Sequence, residues 1–101
     1  MPRKLLYPFH RIERRIPMEI SVYLEGNRQV PGAESTFTEN VSAKGARVVS
    51  VRRWEPGDRL MFTSRTGEFR SSARVAYCQP LQGDGFAIGV EFLEAKGRWV
   101  V

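Results

Sequence analysis

Cysteine and histidine each occur once, as Cys78 and His10. A single thiol excludes an internal disulfide, and one cysteine with one histidine cannot assemble a Cys/His metal cluster. Long apolar runs are missing too, since nothing approaches the roughly 20 residues that a membrane span needs. The N-terminal cluster Leu5-Leu6-Tyr7-Pro8-Phe9 is interrupted by proline and followed at once by charge, too short for the apolar region of a signal peptide. The chain therefore reads as cytoplasmic. There is no convincing amphipathic helix, internal repeat or low-complexity tract. His10 stands beside arginines rather than a nucleophile, Cys78 has no histidine neighbour in sequence, and no carboxylates are paired as phosphodiester hydrolysis would require. These absences point to a binding protein, not an enzyme, with no cofactor and no metal.

What is present is positive charge. Sixteen Lys+Arg against eleven Asp+Glu give a net charge of +5 in 101 residues, enough chain for one domain with its own core. Such a balance favours an anionic partner: a nucleotide, a nucleic acid or an acidic protein surface. Arg3, Lys4, Arg11, Arg14 and Arg15 concentrate cations in the first fifteen residues, where Glu13 is the one acid.

Residues 1–9 carry two prolines and no period, as expected of a flexible N-terminal arm. From Met18 to Leu24 the alternation of Met18, Ile20, Val22 and Leu24 with polar residues predicts a strand with one buried face, with Pro17 at its start. A second strand is expected from Ser35 to Val41, with Phe37, Glu39 and Val41 on one face and Asn40 and Ser42 on the other. Further strands are predicted over Ala46–Val51, Arg59–Ser64, Glu68–Tyr77 and Phe86–Phe92, separated by the turn signals Pro56-Gly57-Asp58, Thr66-Gly67 and Gln82-Gly83-Asp84-Gly85. Even spacing of short strands predicts an all-β fold, a small six-stranded antiparallel β-barrel with little or no helix. The barrel is placed at 10–93 and a C-terminal tail at 94–101, where the pattern gives out and Trp99 is expected to cover a barrel mouth or an apolar seam.

Two polar constellations stand out against this scaffold. Arg11 and Arg15 form R-x-x-x-R, and Asn40-Val41-Ser42-Ala43-Lys44-Gly45 forms N-x-S-x-x-G. A guanidinium can hold phosphate bidentately, grip guanine at O6 and N7, or stack on a purine. In extended chain the two arginines reach about 13 Å apart, a span suited to a dinucleotide. The Asn40 amide offers a donor and an acceptor, and the Ser42 hydroxyl can donate. Gly45 permits a positive φ and a close backbone approach to an anion. Taken separately, the arginines read as a solvated basic segment, and the second motif as a polar turn between strands.

Taken together and in this order, the two motifs, with Ile88-Gly89-Val90-Glu91-Phe92 as closing strand, resemble the PilZ domain family of bacterial cyclic di-GMP receptors, over His10 to Leu93. The resemblance implies a split-barrel fold in which Arg11 and Arg15 bind cyclic di-GMP through phosphate and guanine contacts. It implies that Asn40, Ser42 and Gly45 contact the other face of the ligand. Arg14 is a further candidate from the same segment. Two departures are visible: His10 stands where the family often has another arginine, and Asn40 where Asp is more frequent. The implied function is a second-messenger receptor that relays binding, through a conformational change of the arm, to a downstream protein partner. Arg74 and Tyr77 are expected as a surface and a core residue flanking the site. Two other readings are a small basic barrel that binds single-stranded nucleic acid, which the core parity of Phe37, Phe62, Phe86 and Phe92 disfavours, and a PilZ adaptor without ligand.

Overall fold

A computed structural model describes residues 14–29 and 31–101. Seven strands follow one another: β1 (Ile16–Pro17), β2 (Ser21–Glu25), β3 (Ala33–Ser42), β4 (Gly45–Ser50), β5 (Arg59–Ser64), β6 (Phe69–Pro80) and β7 (Phe86–Gly97). All pairings are antiparallel. The order β3-β2-β5-β6-β7-β4 closes on itself through the β3–β4 hairpin, and β1 adds to the far half of β3. The result is a closed six-stranded barrel with one extra strand, and no helix among the described residues. None of them forms a helix long and apolar enough to cross a membrane, and none belongs to a cluster that would hold a metal ion.

Inward positions of the alternating strands fill the barrel. Val22, Leu24, Val48, Phe62, Val75 and Ile88 are fully buried, each contributing about 1.5–3 kcal/mol through removal of apolar surface from water. At one end Phe62, Phe69, Phe92 and Trp99 form an aromatic cluster with ring centroids 4.7–6.2 Å apart. Trp99 thus closes an apolar seam, as the sequence suggests, and its indole N–H donates to the Ser42 carbonyl at 2.8 Å. Trp54 is buried elsewhere in the core and donates to Ser50 Oγ at 3.0 Å.

Besides β1, which was not foreseen, and β6, which runs on to Pro80, three elements differ from the sequence expectation. The strand foreseen from Met18 begins at Ser21, because the buried Thr38 hydroxyl takes over the intervening backbone. It donates to the Met18 carbonyl at 2.7 Å and accepts from the Ile20 N–H at 2.9 Å. β7 continues past Leu93 to Gly97, paired with Phe69–Ser72 of β6, and Leu93 is the extra residue at a register shift. Such a bulge breaks the alternation on which a sequence reading depends.

The third difference lies in β3. Thr38 pairs with Val48 and Asn40 with Arg47, so Glu39 is an inserted residue. Its carbonyl is satisfied by the Met18 N–H. The insertion changes the phase of the strand: Thr38 and Val41 are buried, whereas Phe37 and Glu39 are exposed. The expectation that Phe37, Glu39 and Val41 share a core face is corrected accordingly, and Phe37, 40% exposed, belongs to the surface.

Candidate functional site

The last residue of the arginine motif meets the asparagine motif where β1 leans on β3. Ile16 pairs with Val41 and Pro17 with Asn40, and this register brings the residue before β1 over the end of β3. Arg15 Nη1 donates to Asn40 Oδ1 at 3.1 Å. Arg14 is exposed beside it, and Arg11 lies outside the described residues.

Asn40 is also one member of a row that crosses the outside of the barrel. It pairs with Arg47 of β4, Arg47 pairs with Gly89 of β7, and Gly89 pairs with Tyr77 of β6. Directly opposed residues in antiparallel strands project to the same face. Two bulges build this row. The insertion of Glu39 turns Asn40 outward, and a register shift between Val75 and Tyr77, with Ala76 as the extra residue, turns Tyr77 outward. Tyr77 is thus a half-buried residue of the outer face and not the core residue that strand parity predicts. Its ring lies on Gly89, where a Cβ would meet it at 2.1 Å. Arg74, as expected, is at the surface, paired with Glu91.

Arg47 occupies the middle of the row. Its Nε donates to Glu39 Oε1 at 2.8 Å, and its Nη1 donates to the Tyr77 hydroxyl at 3.2 Å and to Gln79 Oε1 at 2.9 Å. The guanidinium carbon stands 5.7 Å from the Tyr77 ring centroid, within cation–π range. The bonds to Glu39 and Tyr77 raise the Arg47 pKa above its ordinary value, against a smaller opposing effect of burial. It is cationic at any physiological pH.

The hairpin turn carries the remaining candidates. Ser42 is fully buried and its hydroxyl donates to the Gly45 carbonyl at 3.4 Å, so it braces the turn from within. Gly45 does not take a positive φ, contrary to the expectation from sequence. Glycine is required there by proximity, since a Cβ would sit 2.2 Å from the Val90 carbonyl oxygen of β7. The Lys44 carbonyl accepts from the Phe92 N–H at 2.8 Å, which ties the turn to β7. Arg15, Lys44, Gly45, Ala76, Tyr77, Gly89, Val90 and Glu91 line a concavity of about 130 Å³. That is smaller than the roughly 300 Å³ at which pockets for whole small molecules begin. It suits one group of a larger ligand spread over the face.

The electrostatics favour an anion. Arg15, Lys44 and Arg47 supply positive charge, while Glu39 and Glu91 are each engaged by an arginine. Arg47, Glu39 and Gln79 were not singled out from sequence as site residues, because a register shared across strands leaves no local signal; Lys44 stands inside the N-x-S-x-x-G motif, at one of its variable positions. Gly89, a lone glycine inside an alternating strand, did carry one, since such a glycine often marks close approach of another group.

The family model described as PilZ domain matches residues 9–98. No curated protein matches the chain.

Proposed function

The chain belongs to the PilZ domain family, a family of cyclic di-GMP receptors, and from that premise we propose that it binds cyclic di-GMP on the outer face carrying Arg15 and Asn40. The observation that supports this reading most is the 3.1 Å hydrogen bond joining the arginine motif to the asparagine motif. With Oδ1 engaged by Arg15, the Asn40 amide keeps its N–H donors for an acceptor on the ligand. Arg15 retains further N–H groups and a planar face for phosphate and guanine. Arg11 supplies the second guanidinium, and Arg14 adds charge from the same segment. Ser42 and Gly45 shape the turn on which the ligand rests. The domain acts as a binding module without catalysis.

Binding is relayed through the N-terminal arm to a protein partner in the bacterial cytoplasm. The motive is position: Arg15 leads directly into β1, a strand of two residues held on β3 alone, so a ligand gripping Arg15 acts on the junction between arm and barrel. Hydrogen exchange over residues 3–15 that is unchanged by saturating cyclic di-GMP would remove the relay.

A second reading is favoured by the outward placement of Phe37. With Tyr23, 43% exposed, it flanks Arg65 on the surface of β2 and β3, and exposed aromatics beside a cation suit stacking of single-stranded nucleic acid. Calorimetric titration with cyclic di-GMP, cyclic di-AMP and a short single-stranded oligonucleotide separates the two. Saturable binding of cyclic di-GMP alone, lost in Arg15→Ala, is the expected result. Binding of the oligonucleotide alone, weakening steeply with salt, would overturn the receptor reading.

A further inference from the structure

We propose that Arg47 is a further ligand-binding residue, held on Glu39 until a phosphate of the ligand takes the place of the carboxylate; the proposal rests on the receptor reading above. Arg47 pairs with Asn40 across the β3–β4 hairpin, so it lies beside the motif residue rather than at a remote patch. It is also gripped from two sides, by Glu39 on β3 and by Tyr77 and Gln79 on β6. A half-exposed ion pair of this kind, with side chains 26% and 38% accessible, adds little to stability. Folding alone therefore does not account for three acceptors converging on one guanidinium.

The position of Glu39 supplies the reason. It is the inserted residue of the β3 bulge, and bulges are a means of re-aiming side chains beside functional sites. Here the insertion sets a carboxylate next to Asn40, on a face that carries Arg15, Lys44 and a Glu91 already paired with Arg74. A carboxylate and a phosphate present similar anionic acceptors to a guanidinium. Exchange of one for the other keeps Arg47 charge-paired, while the bonds to Tyr77 and Gln79 hold its orientation. Glu39 is then a built-in competitor that sets the affinity of the site.

The test is titration of cyclic di-GMP into the wild-type chain and into Glu39→Gln, Arg47→Met, the double variant and Arg15→Ala. Glu39→Gln is expected to tighten binding about fivefold, the scale of one exposed ion pair. Arg47→Met is expected to weaken it tenfold or more, the scale of a charge-assisted hydrogen bond. The double variant should match Arg47→Met, because Glu39 acts only through Arg47. The Arg47 Nε–Hε resonance should shift on saturation. A gain in Glu39→Gln cannot come from misfolding, and thermal melting checks Arg47→Met. If Arg15→Ala loses binding while Glu39→Gln and Arg47→Met equal wild type, the receptor reading stands and the role of Arg47 falls. A double variant tighter than Arg47→Met would show that Glu39 acts by general repulsion, which also overturns it. Absence of binding in every protein, wild type included, overturns both.

Discussion

Arg47 and Tyr77, 30 residues apart in sequence, meet across a glycine that pairs with both: Nη1 lies 3.2 Å from the phenol oxygen, and Gly89 forms the floor beneath the ring. A side chain on Gly89 would hold the ring away from the sheet and from Arg47. The absence of a Cβ on one strand is thus what lets residues of its two neighbours touch.

Two glycines should respond differently to the same substitution. In Gly45→Ala the new methyl meets a backbone carbonyl at 2.2 Å, which only separation of β4 from β7 can relieve; in Gly89→Ala it meets the side of the Tyr77 ring, a side chain of the outer face that can swing outward. We expect Gly45→Ala to lower stability by about 3 kcal/mol or more, and Gly89→Ala by about 1 kcal/mol. Urea unfolding of the two variants checks the order, and a Gly45→Ala barrel as stable as wild type would contradict the close approach.

Arg15 and Arg14 are adjacent, but only Arg15 bonds to Asn40. Arg15→Ala should weaken cyclic di-GMP binding on the order of a hundredfold, through loss of charge-assisted bonds of about 1.5–3 kcal/mol each. Arg14→Ala should cost less than tenfold and flatten the dependence on salt, as for a screened exposed charge. Calorimetry at two ionic strengths distinguishes them, and equal losses would assign Arg14 a direct contact.

Thr38 tests the stretch that the sequence reads as strand. Thr38→Val keeps the shape but leaves the Ile20 N–H and the Met18 carbonyl without the hydroxyl that bonds both. A loss of about 1–3 kcal/mol follows from burying unsatisfied groups, with faster amide exchange at Ile20. Unchanged stability would mean that these groups find other partners.

Trp99 offers an optical report on the site. Its indole is bonded to the Ser42 carbonyl, and in Trp54→Phe it is the sole tryptophan of the chain. Saturation of that variant with cyclic di-GMP should change the Trp99 emission if the ligand rests on the turn, with the same midpoint as calorimetry. Trp99→Phe should retain the aromatic cluster and lose about 1 kcal/mol with the hydrogen bond.

The barrel was legible in the sequence because its causes are local. Alternation at Val22 and Leu24, at Leu60 and Phe62, and at Ile88 and Val90 selects strands with one buried face, and glycine turns separate them. Arg15 and Asn40 were legible as members of motifs. Glu39, Arg47 and Tyr77 were not legible as parts of one site, since nothing in Thr38-Glu39-Asn40 or Val75-Ala76-Tyr77 announces an inserted residue, and one insertion reverses the face of whatever follows. The sequence by itself determined an all-β chain with two polar motifs at its strand ends. Which residues those motifs stand beside was decided by tertiary structure alone, because the row from Asn40 through Arg47 and Gly89 to Tyr77 is set by the register of four strands, and register is fixed only when the barrel closes around its core.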